Sequence, residues 1–254
     1  MGAYATVELT EVKASHTWRA FDALTMRLTL RFELLAHRTL SIEGTAAATG
    51  FLNHGLSGAI QAVTPDRWVK YLRTVWLSCV PEGGSLAELY FPKLADEVYV
   101  VAAGAWLRRN ADTVAAQIAG TSIAAITAQV EAANLDGLTA GAVADRILDY
   151  YRAVTPGRAD NIGYTETHGA VNYGSITAAQ HQADARLRKT WLCTPDFRVR
   201  PWHASASGST TGLNTAFSVN GEHLMYPGDR ELGASAENII RCRCTLGYSR
   251  YAAA

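Results

Sequence analysis

Apolar and polar positions alternate most regularly at residues 26–34, where Met26, Leu28, Leu30, Phe32 and Leu34 interleave with Arg27, Thr29, Arg31 and Glu33. A period of two is a strand signal. The surrounding run from Val7 to Leu40 contains neither Gly nor Pro and has several good helix formers, so it is assigned to helix, with part of residues 1–40 kept open as strand. Further along, the period is helical. Thr64 and Pro65 suit a cap and a first helical position, Trp68, Leu72, Val75, Trp76 and Cys79 form one stripe, and Pro81 is expected to end it. A second helical region is expected to end at Gly120, with Ser122 capping the next, which carries Ile123, Ile126 and Val130 and has Gly137 beyond its end. Thr139 opens another helix, Thr155 and Pro156 repeat the cap-then-proline start, and Gly174 closes that segment. A last helix is expected from Ser175 to Trp191, with Ile176, Ala179, Ala183, Leu187 and Trp191 on one face.

Beyond Trp191 the pattern shortens into runs broken by Gly, Ser and Asn, as in strands and turns. Phe197 and Val199 alternate with Asp196, Arg198 and Arg200, Asn220-Gly221 marks a hairpin, and Ile240, Cys242, Cys244 and Leu246 fall on one strand face. The fold class expected is α+β: a mainly helical N-terminal region followed by a small strand-rich C-terminal module. The expected divisions are residues 1–120, 121–191 and 192–254.

The chain has 254 residues, 48% of them hydrophobic and 18% charged, enough to bury a sizeable core. Its 23 basic and 23 acidic residues balance, so no global field draws it to nucleic acid or an anionic membrane. The longest apolar stretch, Val98 to Leu107, is about half of a membrane span, and no signal-peptide pattern opens the chain. Four cysteines (Cys79, Cys193, Cys242 and Cys244) are too few for a disulfide framework and suit a reducing cytoplasm.

Two groups of residues could carry chemistry. Cys193, His203, Cys242 and Cys244 supply the thiolates and imidazole that zinc selects. In an extended strand, however, the two cysteines of Cys-x-Cys lie on one face with their Cα atoms roughly 6.5–7 Å apart, so convergence needs a bend. The simpler expectation makes Cys242 and Cys244 small core residues beside Ile240 and Leu246. The second group, Asp196, Arg198, Arg200 and His203, could serve acid-base chemistry on a phosphodiester, with His203 and Arg198 at its centre. Strand parity separates His203 from the charged residues, and a salt-bridged surface explains those. His168 and Glu166 are two apart and are expected on a helix surface, and Arg186, Arg188 and Lys189 are expected as cations at a helix C-terminus.

An ordered series, RADNIGYTETHGAVNYGS, KTW, DFRVRPWH, FSVNGEHLMYPGD and GASAENIIRCRC, resembles the phage Mu F-like head morphogenesis family, the minor head proteins, across residues 120–248. Asp196, Arg198, His203, Pro227, Gly228, Asp229, Cys242 and Cys244 match the family's pattern, with Arg200 in the same block. Arg241 stands where the family usually has asparagine. The resemblance implies a non-enzymatic virion component of the head, near the portal vertex and assembled in the host cytoplasm. Its implied partners are the portal protein and other head proteins, with packaged DNA as a further contact and no membrane. It implies no obligatory cofactor. A nuclease or toxin-like enzyme and a zinc-stabilised interaction module are the alternatives.

Overall fold

A computed structural model describes residues 11–182 and 184–250, with side chains from residue 17 onward. Four long helices come first: α1 (Glu11–Ala62), α2 (Pro65–Leu86), α3 (Asp96–Leu135) and α4 (Ala140–Gln180), with a 3-10 turn at Ala87–Leu89. The smaller elements are β1 (Leu187–Cys193), α5 (Pro201–Ala206), β2 (Thr210–Gly212), β3 (Phe217–Val219), β4 (Glu222–Leu224), α6 (Ala236–Ile239) and β5 (Cys244–Arg250). The fold class is α+β, as expected.

The alternating stretch is helical. Leu28 and Phe32, four apart, are buried with Phe21, Ala36 and Leu40, whereas Met26, Leu30 and Leu34 are exposed, so the apparent period of two comes from a second apolar stripe left on the solvent side. The first residues of that expected helix, 7–10, lie outside the described residues. The helix α1 breaks at His54 and Gly55, where Gly55 takes a φ of 61°.

Other expected boundaries do not occur. Pro81 and Pro156 lie inside α2 and α4, Gly120 and Ser122 inside α3, and Gly174 inside α4. At Gly174 the reason is packing. A Cβ on Gly174 would lie 2.0 Å from the Val80 carbonyl oxygen, and one on Gly83 equally close to that of Val171, so these glycines let two helix backbones touch rather than ending a helix. Ser122 and Thr155 are buried inside their helices rather than capping them. Three helix ends were legible: α2 starts at Pro65, α4 starts at Ala140 just after Thr139, whose hydroxyl accepts Ala142 N–H (3.4 Å), and α3 stops before Gly137, whose φ is 68°. The helix expected through Trp191 stops at Gln180, and Leu187 to Trp191 belong to β1; Ala183 lies outside the described residues.

The chain divides into two compact units. The helical unit comprises Leu30–Thr74 and Trp106–Gly163. Its centre is Glu43, which is fully buried and accepts hydrogen bonds from Trp68 Nε1 (2.9 Å), Tyr151 OH (3.0 Å) and the Ser122 hydroxyl. Arg158 donates to the same Ser122 oxygen (2.8 Å) and to the Ile118 carbonyl (2.7 Å). Gly44 leaves room for the Tyr151 ring, which would lie 2.6 Å from a Cβ at that position. By length and composition α3 could cross a membrane, but its Trp106, Val114 and Ile126 are buried within this protein's own packing.

The mixed unit comprises the chain up to Thr29, Val75–Ala105 and everything from Tyr164 on. Its antiparallel sheet has the order β2-β1-β5, with Trp191 opposite Leu246 and Cys193 opposite Cys244. The strands β3 and β4 form the expected hairpin, turning through Asn220 (φ 52°) and Gly221 (φ 77°), both left-handed as a type I′ turn requires. Residues 163–172 of α4 are all buried, so His168 and Glu166 are core residues and not helix surface. Glu166 accepts from Trp76 Nε1 (3.2 Å) and pairs with Arg230 (3.2 Å). Lys189, expected as a helix-end cation, is fully buried in β1, where it donates to the Met225 carbonyl (2.7 Å) and lies over the Phe217 ring.

Candidate metal centre

Four short pieces of backbone bring three sulfurs and an imidazole together. Cys193 ends β1, His203 lies in α5, Cys242 lies in the turn after α6, and Cys244 opens β5. The expected strand through residues 240–246 starts only at Cys244, and Ile240 is 45% exposed, so Cys242 and Cys244 are not a strand-face continuation of Ile240. Arg241, whose φ of 52° turns the chain just before Cys242, keeps Cys242 off the strand β5, which opens only at Cys244. Arg241 N–H donates to Thr165 Oγ1 (3.2 Å), which holds the turn.

His203 Nδ1 is 3.6 Å from the Cys242 sulfur and 3.6 Å from the Cys244 sulfur, and the three ligand atoms lie within 4.8 Å of one another. The Cys193 sulfur is not within 4.8 Å of all three, but it is 2.8 Å from that of Cys244 and 3.1 Å from the His203 carbonyl oxygen. His203, Cys242 and Cys244 are all buried, and Cys193 is partly so.

The tautomer of His203 follows from its second partner. Trp202 Nε1, which can only donate, bonds to Asn238 Oδ1 (2.8 Å) and thereby fixes the amide orientation. His203 Nε2 lies 3.0 Å from the same oxygen and so must carry a proton, which leaves the neutral ring's lone pair on Nδ1, facing the sulfurs. The other end of the amide, Asn238 Nδ2, donates to Glu222 Oε2 (2.7 Å) and to the Val219 carbonyl (3.3 Å).

The electrostatics are those of a crowded set of lone pairs. Burial disfavours a His203 imidazolium, but the Cys242 sulfur and the Asn238 oxygen outweigh it and raise its pKa. Burial also opposes a thiolate at Cys242, yet hydrogen bonding from Cys244 and the nearby His168 and His203 rings push its pKa well down. Cys244 moves the other way, raised by burial and by its sulfur neighbours. Without a cation, the thiols cannot all ionise together.

The charged residues sit apart from this cluster in a turn, not a strand, with Phe197 97% exposed. Asp196 pairs with Arg198 (3.1 Å) and Arg243 (2.7 Å), which together outweigh its partial burial and lower its pKa. Arg200 donates to the Ile240 carbonyl. Asp229 receives Met225 N–H (2.8 Å) and Glu231 N–H (2.9 Å), so it pins the loop after Gly228 (φ 87°) instead of pairing with an arginine. Pro227 precedes that glycine, and a Cβ on Gly228 would lie 3.1 Å from His168 Nδ1. His168 Nε2 donates to the Cys244 carbonyl (2.8 Å), joined by Asn172 Nδ2 (3.3 Å). Asn238, Glu222 and His168 carry no motif spacing that would have singled them out. Only their place within the resembling blocks marks them.

No family model, curated protein or solved structure matches the chain.

Proposed function

We propose that the chain is a phage minor head protein that associates with the portal vertex during capsid assembly and DNA packaging or delivery. One observation carries this reading beyond the sequence blocks themselves: those blocks fold onto one another in the mixed unit. Most of the first block, in α4, supplies His168 and Asn172 to the start of β5, the second block lies in β1, and the third provides His203. The fourth ends in the Asp229-pinned loop against His168, and the fifth brings Asn238, Cys242 and Cys244. Residues that recur together in order and also pack together have a common structural task.

That task is shape, not turnover. His203 is 1% exposed and turned toward sulfur, so it does not face Arg198, whose side chain is 60% exposed in its pair with Asp196. This arrangement favours the assembly reading over the nuclease reading. The test is co-expression with the portal protein of the genome that encodes the chain, followed by cryo-electron microscopy of the heads. Co-purification in a fixed ratio and density at the portal vertex are expected. A chain that stays alone and is missing from heads overturns the proposal.

A further inference from the structure

We propose that Cys193, His203 through Nδ1, Cys242 and Cys244 form a closed structural zinc site that staples the end of the chain. Tetrahedral zinc with nitrogen at about 2.1 Å and sulfur at about 2.3 Å places nitrogen and sulfur about 3.6 Å apart. Both His203 Nδ1 to sulfur separations, to Cys242 and Cys244, are 3.6 Å. Two sulfurs on such an ion sit about 3.8 Å apart. Cys193, partly buried, therefore has to change rotamer, opening by about 1 Å from its present 2.8 Å to Cys244 while coming within reach of the Cys242 sulfur and His203 Nδ1 as well.

The surroundings fit a metal ligand as well as the ligands do. A ligating histidine commonly donates its other N–H to an oriented acceptor, and the Trp202-Asn238-Glu222 arrangement provides one that leaves Nδ1 free to coordinate. Three thiolates and an imidazole in a tetrahedral set select zinc over calcium or magnesium, and four protein ligands leave no open position for a substrate. Several elements around the site are short: β2, β3 and β4 have three residues each and α6 has four.

The experiment is zinc analysis of the isolated full chain, purified under reducing conditions, with cobalt substituted for zinc to give a tetrahedral cobalt-thiolate spectrum. About one zinc per chain is expected, with loss of binding in Cys242→Ser, Cys244→Ser and His203→Ala. Cys79→Ser should retain the metal, because Cys79 lies in α2 and is not one of the four proposed ligands. His203→Cys should retain binding with a shifted cobalt spectrum, which guards against variants that merely misfold. Cys193→Ser should alter the spectrum; an unchanged spectrum would remove the fourth ligand and overturn the closed site. A folded wild-type chain that takes up neither zinc nor cobalt, or one that holds a Cys193–Cys244 disulfide, would also overturn it. Metal content is read without a partner, so failure to find portal association leaves this result standing.

Discussion

Each unit of this chain buries a polar centre, and the two centres are opposites. Around Glu43 in the helical unit, a carboxylate acceptor meets donors: an indole N–H, a phenol and a hydroxyl that Arg158 also engages. That centre is complete in protein atoms alone. Around His203 in the mixed unit, the imidazole lone pair faces the sulfurs of Cys242 and Cys244, with Cys193 beside Cys244, and a thiol is only a weak donor and a weak acceptor. The second centre is the one proposed to take a cation. The difference teaches how to read a buried polar cluster: complementary groups indicate a finished lock, and like groups indicate a missing ion.

Removing metal should therefore separate the two units, and this is the largest effect expected. Structural zinc contributes on the order of 10 kcal/mol to the folding of small metal-dependent modules. Treatment with a strong chelator should strip amide-exchange protection from β1 and β5 while amides of residues 106–163 keep theirs. Hydrogen exchange read by mass spectrometry checks it, and equal loss in both units would erase the proposed contrast.

The converse perturbation is Glu43→Ala. It leaves the indole, phenol and hydroxyl donors without their acceptor and opens a void, for an expected loss of about 3–5 kcal/mol in denaturant unfolding. Metal content should be unchanged. A Glu43→Ala chain that unfolds like wild type would mean the helical centre is decorative.

Lys189 offers a pH-dependent comparison inside the mixed unit. Burial, only partly offset by Asp229, lowers its pKa from 10.5 to about 8. Because the folded value is the lower one, the unfolded chain binds more protons between the two values, and this group's contribution to stability rises with pH across that window. Burial raises the pKa values of Tyr164, Tyr226 and Tyr248, which makes stability fall above about pH 10, so the useful range is pH 8–10. Relative to Lys189→Met, the wild-type protein should gain on the order of 2 kcal/mol over that range. Parallel thermal-unfolding curves for the two proteins would contradict the assignment.

Asn238→Ala tests whether the ligand's support matters as well as the ligand. Loss of the acceptor for His203 Nε2 frees the ring to take the other tautomer, and zinc affinity should fall about ten- to a hundredfold, measured by competition with a chromophoric chelator. The same variant removes the partner of Trp202. A metal-independent loss of stability with unchanged affinity would assign Asn238 to packing instead.

The sequence made the class of fold legible because long helices and a hairpin leave local signals: Pro65 at a helix start, Gly137 after a helix end, Asn220-Gly221 between short strands. It misplaced boundaries where tertiary packing overrode local rules, as at Gly174, which reads as a stop but serves close contact with Val80. Lys189 and His168 were misread because burial of a polar group depends on partners far along the chain, Met225 and Cys244, that no local pattern announces. The sulfur-imidazole cluster was half legible. Its four residues stood in view, but period-two reasoning laid Ile240, Cys242 and Cys244 on one strand and so hid the turn at Arg241.

That turn gives the smallest effect and the sharpest reading of the one departure from the resembling family. With a φ of 52°, position 241 is left-handed, a conformation asparagine tolerates better than arginine. Backbone geometry at this turn therefore suits asparagine better than the arginine present. Arginine keeps a compensation here, since its guanidinium lies 5.1 Å from the Tyr164 ring centre. Arg241→Asn should relieve backbone strain and forfeit that contact, for a net stabilisation of about 0.5 kcal/mol. Arg241→Val, β-branched and poorly suited to positive φ, should destabilise by more than 1 kcal/mol and weaken zinc binding together with it. If Arg241→Val unfolds at the same temperature as wild type and holds zinc as tightly, the turn before Cys242 does not depend on residue 241.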